Sequence, residues 1–226
     1  MAILLSIESS TSVCSVAIHK SGKLVVSSEM FVPQSASSHL AVMAEELFHR
    51  SGIQKSELNA VAVSAGPGSY TGLRIGVSLA KGLCFSLGIP LISIDTLLSM
   101  SYYVRSAGCG GYLCPMIDAR RMEVYCLLMD AQDKLIKATA ATVVDELTFK
   151  EPLDESTVYF FGDGASKCRE IIRHPNARFL NDIVPMASSI GTLAFEKFQN
   201  QQVENLVTFE PIYLKEFLIR KPKIQI

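Results

Sequence analysis

The chain alternates short apolar runs bounded by turn residues with longer stretches in which apolar residues recur every three or four positions. The first kind predicts strands and the second predicts helices. Strands are expected at Ile3–Ile7, Val13–His19 and Leu24–Met30, the last two joined by Ser21-Gly22-Lys23, and again at Ala60–Ser64 and Pro90–Ile94. Between them, His39–Arg50 reads as an amphipathic helix with Leu40, Met43, Leu47 and Phe48 on one side, Ser38 as N-cap and Gly52 just past its end. A second helix runs from Thr71 to Leu87 and is closed by Gly88, and a third from Thr96 to Ser106.

After Ala107-Gly108-Cys109-Gly110-Gly111 the opening pattern returns. Leu113–Ile117, Glu123–Met129 and Leu135–Val144 repeat the three-strand meander, with Gln132-Asp133-Lys134 as the turn. Each first strand ends in an acid, Glu8 or Asp118, at a similar spacing from the turn that follows, so the second half reads as a divergent copy of the first. Val158–Phe161, Gly162-Asp163-Gly164 opening a helix near Ser166, and a helix over Met186–Phe198 follow that plan more loosely. The expected architecture is α/β, two related βββαβα subdomains over residues 1–107 and 108–226, with the tail packing back on the first.

The most informative stretch is Val61 to Gly82, a strand, a tight turn at Gly66-Pro67-Gly68, and the Thr71 helix. Such a turn aims backbone N–H groups and a helix N-terminus at one spot, where an anion can be held. The Walker frame does not fit these glycines, and a dinucleotide fingerprint fails because Thr71 stands where the third glycine belongs. A hydrolase elbow fails because Tyr70 occupies the nucleophile position. In the helix, Gly72, Gly76 and Ala80 fall four apart and leave one face almost bare. Helical glycines cost roughly 1 kcal/mol each against alanine, so close packing must compensate. Either the sheet beneath or another helix, from this chain or another subunit, can supply it.

Composition narrows the function. With 49% apolar residues, the 226-residue chain is globular, and at that length about 70% of its unfolded surface is buried on folding. A formal charge of −1 gives no basic footprint for gripping nucleic acid alone. The apolar start is too short for a signal peptide and no run approaches a membrane span, which points to the cytoplasm. Six scattered cysteines lack paired zinc spacing and read as reduced and structural. His19, His39, His49 and His174 offer no i, i+4 pair, so no histidine metal site is expected. Ser78-Leu79-Ala80-Lys81 matches a Ser-x-x-Lys pattern, but its companion motifs are absent. Lys215, Arg220, Lys221 and Lys223 make the tail locally basic.

Glu8 and Asp118 could face each other across a cleft and hold Mg²⁺ with a nucleotide. Ser9-Ser10-Thr11 is small enough for phosphate to approach, whereas Ala119-Arg120-Arg121-Met122 is bulky and crowds the second turn. A small Mg-ATP-dependent phosphotransferase or ATPase using these two acids is the alternative reading.

Ile7-Glu8-Ser9-Ser10, Ala65 to Gly76 with Ala80-Lys81-Gly82-Leu83, Ile117-Asp118-Ala119-Arg120 with Glu123-Val124-Tyr125, Gly162-Asp163-Gly164 and Pro211-Ile212-Tyr213-Leu214 together resemble the bacterial TsaB (YeaZ) family. The resemblance implies an actin-like ATPase (ASKHA, RNase H-like) fold. It also implies a non-catalytic subunit required for threonylcarbamoyladenosine (t6A) modification of tRNA. The partners it implies are a TsaD-type catalytic paralogue, a TsaE-type ATPase and, when alone, a second copy; tRNA is met only through the complex, with no membrane and no cofactor. The paralogue carries a His-x-x-x-His metal pair where this chain has Thr96 and Met100. The expected interface is Leu40, Met43, Leu47, Gly72, Ile75, Gly76, Leu79, Ala80 and Leu83. Glu8, Ser9, Ser10, Gly66, Gly68, Asp118, Gly162 and Gly164 would line a vestigial nucleotide cleft, with no catalytic residue.

Overall fold

A computed structural model describes residues 1–215. The basic positions Arg220, Lys221 and Lys223 lie outside the described residues. The chain forms two five-stranded mixed sheets of the same plan. In the first, β1 (Ile3–Glu8) lies between β2 (Cys14–Lys20), antiparallel, and β4 (Ala60–Gly66), parallel; β3 (Lys23–Met30) and β5 (Leu91–Asp95) form its edges. In the second, β6 (Tyr112–Asp118) takes the place of β1, β7 (Glu123–Met129) and β8 (Leu135–Val143) those of β2 and β3, and β9 (Val158–Phe161) and β10 (Ala177–Phe179) those of β4 and β5. The orders β3-β2-β1-β4-β5 and β8-β7-β6-β9-β10 coincide element for element, which is the actin-like duplication.

Every residue of β1 and β4 is buried, because helices cover both faces of the first sheet. Alternation along the strand then sorts side chains between two cores. Ile3, Leu5 and Ile7 point toward α1 (Ala36–Ser51) and α2 (Tyr70–Leu87), while Leu4 packs with Ala60, Ala62 and Ile92 against Ile190 and Ala194 of α6 (Ala187–Gln199). The helix closing the second half thus covers the first sheet. In return α3 (Thr96–Ser106) places Leu97, Met100 and Val104 against Leu113, Ile117, Leu127 and Phe161 of the second sheet. The other face of that sheet packs on α4 (Lys150–Glu155) and α5 (Ala165–Cys168) through Leu153, Ala165 and Cys168.

Most predicted elements stand within a residue or two of their expected ends. Gly52 and Gly88 close α1 and α2 in the left-handed conformation, at φ 70° and 66°. One cap differs: α1 starts at Ala36 after Ser35, not after Ser38, and the Ser35 hydroxyl makes no cap but lies 3.3 Å from Cys14 Sγ. The three-residue β10 and the six-residue α4 were not predicted.

The bare face of α2 is where the structure corrects the sequence reading. It turns inward, beneath the turn that follows β1. A Cβ on Gly72 would strike the Ser9 carbonyl oxygen, and one on Gly76 the Ser9 hydroxyl. Ala80, Leu40, Met43 and Leu47 lie in the first core. These six residues cannot present an interface, because a chain turn and the first sheet already occupy the space. Of the expected interface only Ile75, Leu79 and Leu83 are half-buried and reach the surface.

Candidate functional site

A cleft of about 1110 Å³ opens between the two sheets. One wall is the turn after β1 and the start of α2, through Ser10, Thr11, Ser12, Gly68, Ser69 and Tyr70. Backbone bonds fix this wall. The Ser69 N–H donates to the Ser10 carbonyl at 2.6 Å, and the Ser69 hydroxyl caps α2 by accepting from the Gly72 N–H at 3.3 Å. Gly68 must be glycine, because any Cβ would run into Ser10. Gly66, at φ 109°, lies so close to the Ile212 carbonyl that a Cβ would stand 2.8 Å from it.

Glu8 does not reach the cleft. It is fully buried behind Ser10, its Oε1 accepting from the Ser10 N–H at 2.6 Å and the Ser64 hydroxyl at 3.0 Å. Burial pushes its carboxyl above the usual range, against the smaller opposing effect of these hydrogen bonds. The Ser10 hydroxyl, buried beside this carboxyl, is the largest of the hydrogen-bonding effects that oppose the rise. Ser9 is likewise withdrawn, donating its hydroxyl to the Gly72 carbonyl at 2.8 Å.

The opposite wall is the β6–β7 turn, with Asp118, Ala119, Arg120, Arg121 and Glu123, backed by Asp163. Asp118 Oδ1 accepts from the Arg120 N–H at 2.9 Å and from the ammonium of Lys167, which α5 delivers. Lys167 also donates to the carbonyls of Arg121 at 2.7 Å and Glu123 at 2.6 Å. Partial burial alone would raise the Asp118 carboxyl; Lys167 and the Arg120 N–H outweigh it and hold it below the usual range. Gly162 and Gly164 do not line the cleft. They let the next loop pack on β6, where a Cβ would meet the Met116 carbonyl and Ile117 respectively.

The vestigial cleft is therefore assembled only in part. Ser10, Gly68 and Asp118 line it, whereas Glu8, Ser9, Gly66, Gly162 and Gly164 support its walls. Mg²⁺ between Glu8 and Asp118 does not fit, since one carboxylate is buried away from the cleft and the other is occupied by an ammonium. The alternative phosphotransferase reading loses its two acids for that reason. Thr96 and Met100 are buried, and Met100 sits in an apolar cluster. Among the described residues no group of three or more His, Cys, Asp and Glu side chains is placed to hold a metal ion. No described helix is long and apolar enough to cross a membrane.

Sequence reasoning missed Lys167; it expected the tail to pack back on the first subdomain but did not identify the contacts that the strap over residues 203–215 makes there. The strap's Ile212 N–H donates to the Ala65 carbonyl at 2.7 Å, and Tyr213 accepts from Arg74 Nε at 3.1 Å while its ring lies 4.8 Å from that of Tyr70. Lys215 then pairs with Glu123 across the cleft. No periodicity marks such contacts. The nearest signal was Pro211-Ile212-Tyr213-Leu214, an apolar and aromatic island in a polar tail.

The family described as "TsaD: tRNA N6-adenosine threonylcarbamoyltransferase" matches residues 23–224. The chain is 33% identical over 122 residues to the tRNA threonylcarbamoyladenosine biosynthesis protein TsaB of Escherichia coli, covering 54% of this chain and 52% of that protein. It thus spans about half the length of that relative. It is 27% identical to TsaB of Bacillus subtilis over 84% of this chain and 80% of that protein. Among solved structures, YeaZ from Pseudomonas aeruginosa superposes with a TM-score of 0.83 at 25% identity, over 95% of this chain and all of that one.

Proposed function

The chain belongs to the TsaB (YeaZ) family, and from that membership we propose that it is a non-catalytic subunit in the formation of threonylcarbamoyladenosine on tRNA. In this reading it binds and activates a TsaD-type catalytic paralogue in the cytoplasm, works beside a TsaE-type ATPase, and meets tRNA only within that assembly. Alone, two copies pair through the surface that otherwise receives the paralogue.

The observation that carries the reading is the cleft. An actin-like enzyme uses its interlobe acids to place a metal and nucleotide; here Lys167 occupies Asp118 and Glu8 is sealed behind Ser10. What the fold retains is a framework with an outward helix pair. The exposed sides of α1 and α2 carry Val42, 54% exposed, and Phe85, 83% exposed, and α2 also presents the half-buried Ile75, Leu79 and Leu83. Large apolar side chains at such exposure are what a partner helix covers.

Phe85→Asp tests the assignment. The variant keeps the wild-type melting temperature and loses co-elution with the TsaD-type paralogue in size-exclusion chromatography. Unchanged co-elution of Phe85→Asp and of Val42→Asp would place the interface elsewhere.

A further inference from the structure

All six cysteines are free thiols, and three of them meet in one core. Cys114 on β6, Cys126 on β7 and Cys168 on α5 share the face of the second sheet that is turned away from α3. The strand register sets the first two side by side. Cys126 stands opposite Met116, and Met129 opposite Leu113, so Cys114 falls one pleat along, diagonal to Cys126 on the same face. Diagonal neighbours are within side-chain reach, and here the two thiols hydrogen-bond to one another.

Cover separates the three. Cys114 and Cys168 are 0% exposed and Cys126 is 6% exposed. Cys126 lies one strand in from β8, the open edge of the sheet. Opposite it β8 offers only the exposed methyl of Ala140, and the pairing slips between Cys126 and Leu128. A short side chain and an irregular ladder on an edge strand make local opening there easy, and opening uncovers Cys126 first.

Proton affinity separates them as well. The hydrogen bond to Cys114 draws the Cys126 thiol down to about 7, against burial and with help from Thr142 and Lys137. The Thr142 Oγ1 lies 3.4 Å from Cys126 Sγ. Cys114 keeps its proton, because burial and the neighbouring thiol push it well above the usual range. Burial likewise takes Cys168 up to about 11, and its Sγ donates to the Gly164 carbonyl at 3.4 Å. The cluster therefore holds one sulfur that forms a thiolate, a protonated thiol beside it, and a third thiol that stays inert.

We propose that Cys126 and Cys114 form a dithiol site oxidised by hydrogen peroxide, with Cys126 as the attacking sulfur and Cys114 as the sulfur that closes the disulfide. In the first step the Cys126 thiolate attacks one peroxide oxygen. An S–O bond forms, the O–O bond breaks, and the departing hydroxide takes up the proton that Cys126 released and leaves as water. In the second step the Cys114 sulfur attacks the sulfenic sulfur of Cys126. The S–S bond forms, the S–O bond breaks, and hydroxide leaves with the Cys114 proton as a second water. Two thiols give two electrons to one peroxide, and a dithiol reductant returns them. The bridge joins two strands that are already paired, so the fold stays in place. The inference is independent of the subunit assignment, since the site lies in the second sheet and the proposed docking face on the first.

The test is peroxide titration of the reduced full chain, then blocking with N-ethylmaleimide and peptide mass spectrometry without reduction. Trypsin cuts between the two cysteines at Arg120 and Arg121, and fragmentation tells Cys114 from Cys109. A peptide pair linked through Cys114 and Cys126 appears, and dithiothreitol removes it. Cys126→Ala, whose fold is checked by circular dichroism, yields no linked pair and slows the loss of free thiols about tenfold or more. Cys114→Ala stops at the sulfenic acid of Cys126, which dimedone labels. Cys109→Ala and Cys168→Ala behave as the wild type. The proposal is overturned if the wild type forms no link between Cys114 and Cys126, if Cys109 or any other thiol is oxidised before Cys126, or if Cys126→Ala loses thiols at the wild-type rate. The wild-type map decides the pairing even where a variant fails to fold.

Discussion

Gly76 and Gly82 lie in the same helix and have opposite reasons to be glycine. At Gly76 a side chain would meet Ser9, whereas at Gly82 it would meet nothing within 4 Å. Gly76→Ala should therefore destabilise the chain by about 1–3 kcal/mol through overpacking. Gly82→Ala should stabilise it by up to about 1 kcal/mol, from helix propensity alone. Chemical denaturation of the two variants checks both signs. The spacing of Gly72, Gly76 and Ala80 was legible in the sequence as a face under close approach. Which group approaches was not, because Ser9 sits 63 residues from Gly72 and no local pattern pairs them.

His19 offers a pH test at the same scale. Its ring is buried under Gly191, with Nε2 3.0 Å from the Ser188 carbonyl. Burial pushes its pKa below the ordinary 6.5, and the carbonyl opposes this only in part. Unfolded chains take up this proton near 6.5 and folded ones only at lower pH, so the unfolded state binds more protons in that window. The His19 contribution to stability is present above pH 6.5 and is lost as pH falls below it. Urea unfolding from pH 7.5 to 5.5 should show this loss in the wild type, with a shallower pH slope in His19→Gln. Equal slopes would mean that the ring titrates normally in the fold.

Among elements, those with a repeating pattern and a stop signal were readable. Helix α3 spans Thr96–Ser106 as the sequence predicts, β7 spans Glu123–Met129, and β9 spans Val158–Phe161. The three residues of β10 are too few to show a period, and they pair in parallel with β9, a partner set by the sheet rather than by any turn. At the N-terminus of α1 three serines stand within four residues, at 35, 37 and 38; the one that starts the helix is fixed by a tertiary contact to Cys14. The strap is the clearest case of an element without a local code. Its order comes from Lys81 donating to the Phe209 carbonyl at 3.1 Å and from the Ile212 bond to β4. Tyr213→Ala should speed hydrogen exchange of the Ile212 amide while leaving amides of β1 and β4 protected. Uniform protection would show that the stack on Tyr70 and Arg74 does not hold the strap.

For the whole molecule, the duplication was visible in the sequence but the exchange of helices was not. Strand order follows from runs that each half repeats, whereas α6 and α3 have apolar faces that fit either sheet, and only the folded chain chooses. That exchange couples the halves. A fragment ending at Ala107 exposes the Leu4, Ala62 and Ile92 face that α6 covers, and it should fail to fold alone. The intact chain should unfold in a single transition by both fluorescence and circular dichroism. The site was legible to the extent that its residues sit at strand ends. Asp118 and Gly68 were found that way, while Lys167 was hidden in a four-residue helix with no motif.

The subunit assignment is tested most directly by mixing. The chain, its TsaD-type paralogue from the same genome, and both together are assayed for threonylcarbamoylation of tRNA, with light scattering on a sizing column for the same samples. The account predicts a defined complex, and modification only when both proteins are present. Modification of tRNA, or ATP hydrolysis, by this chain alone without the paralogue would contradict it.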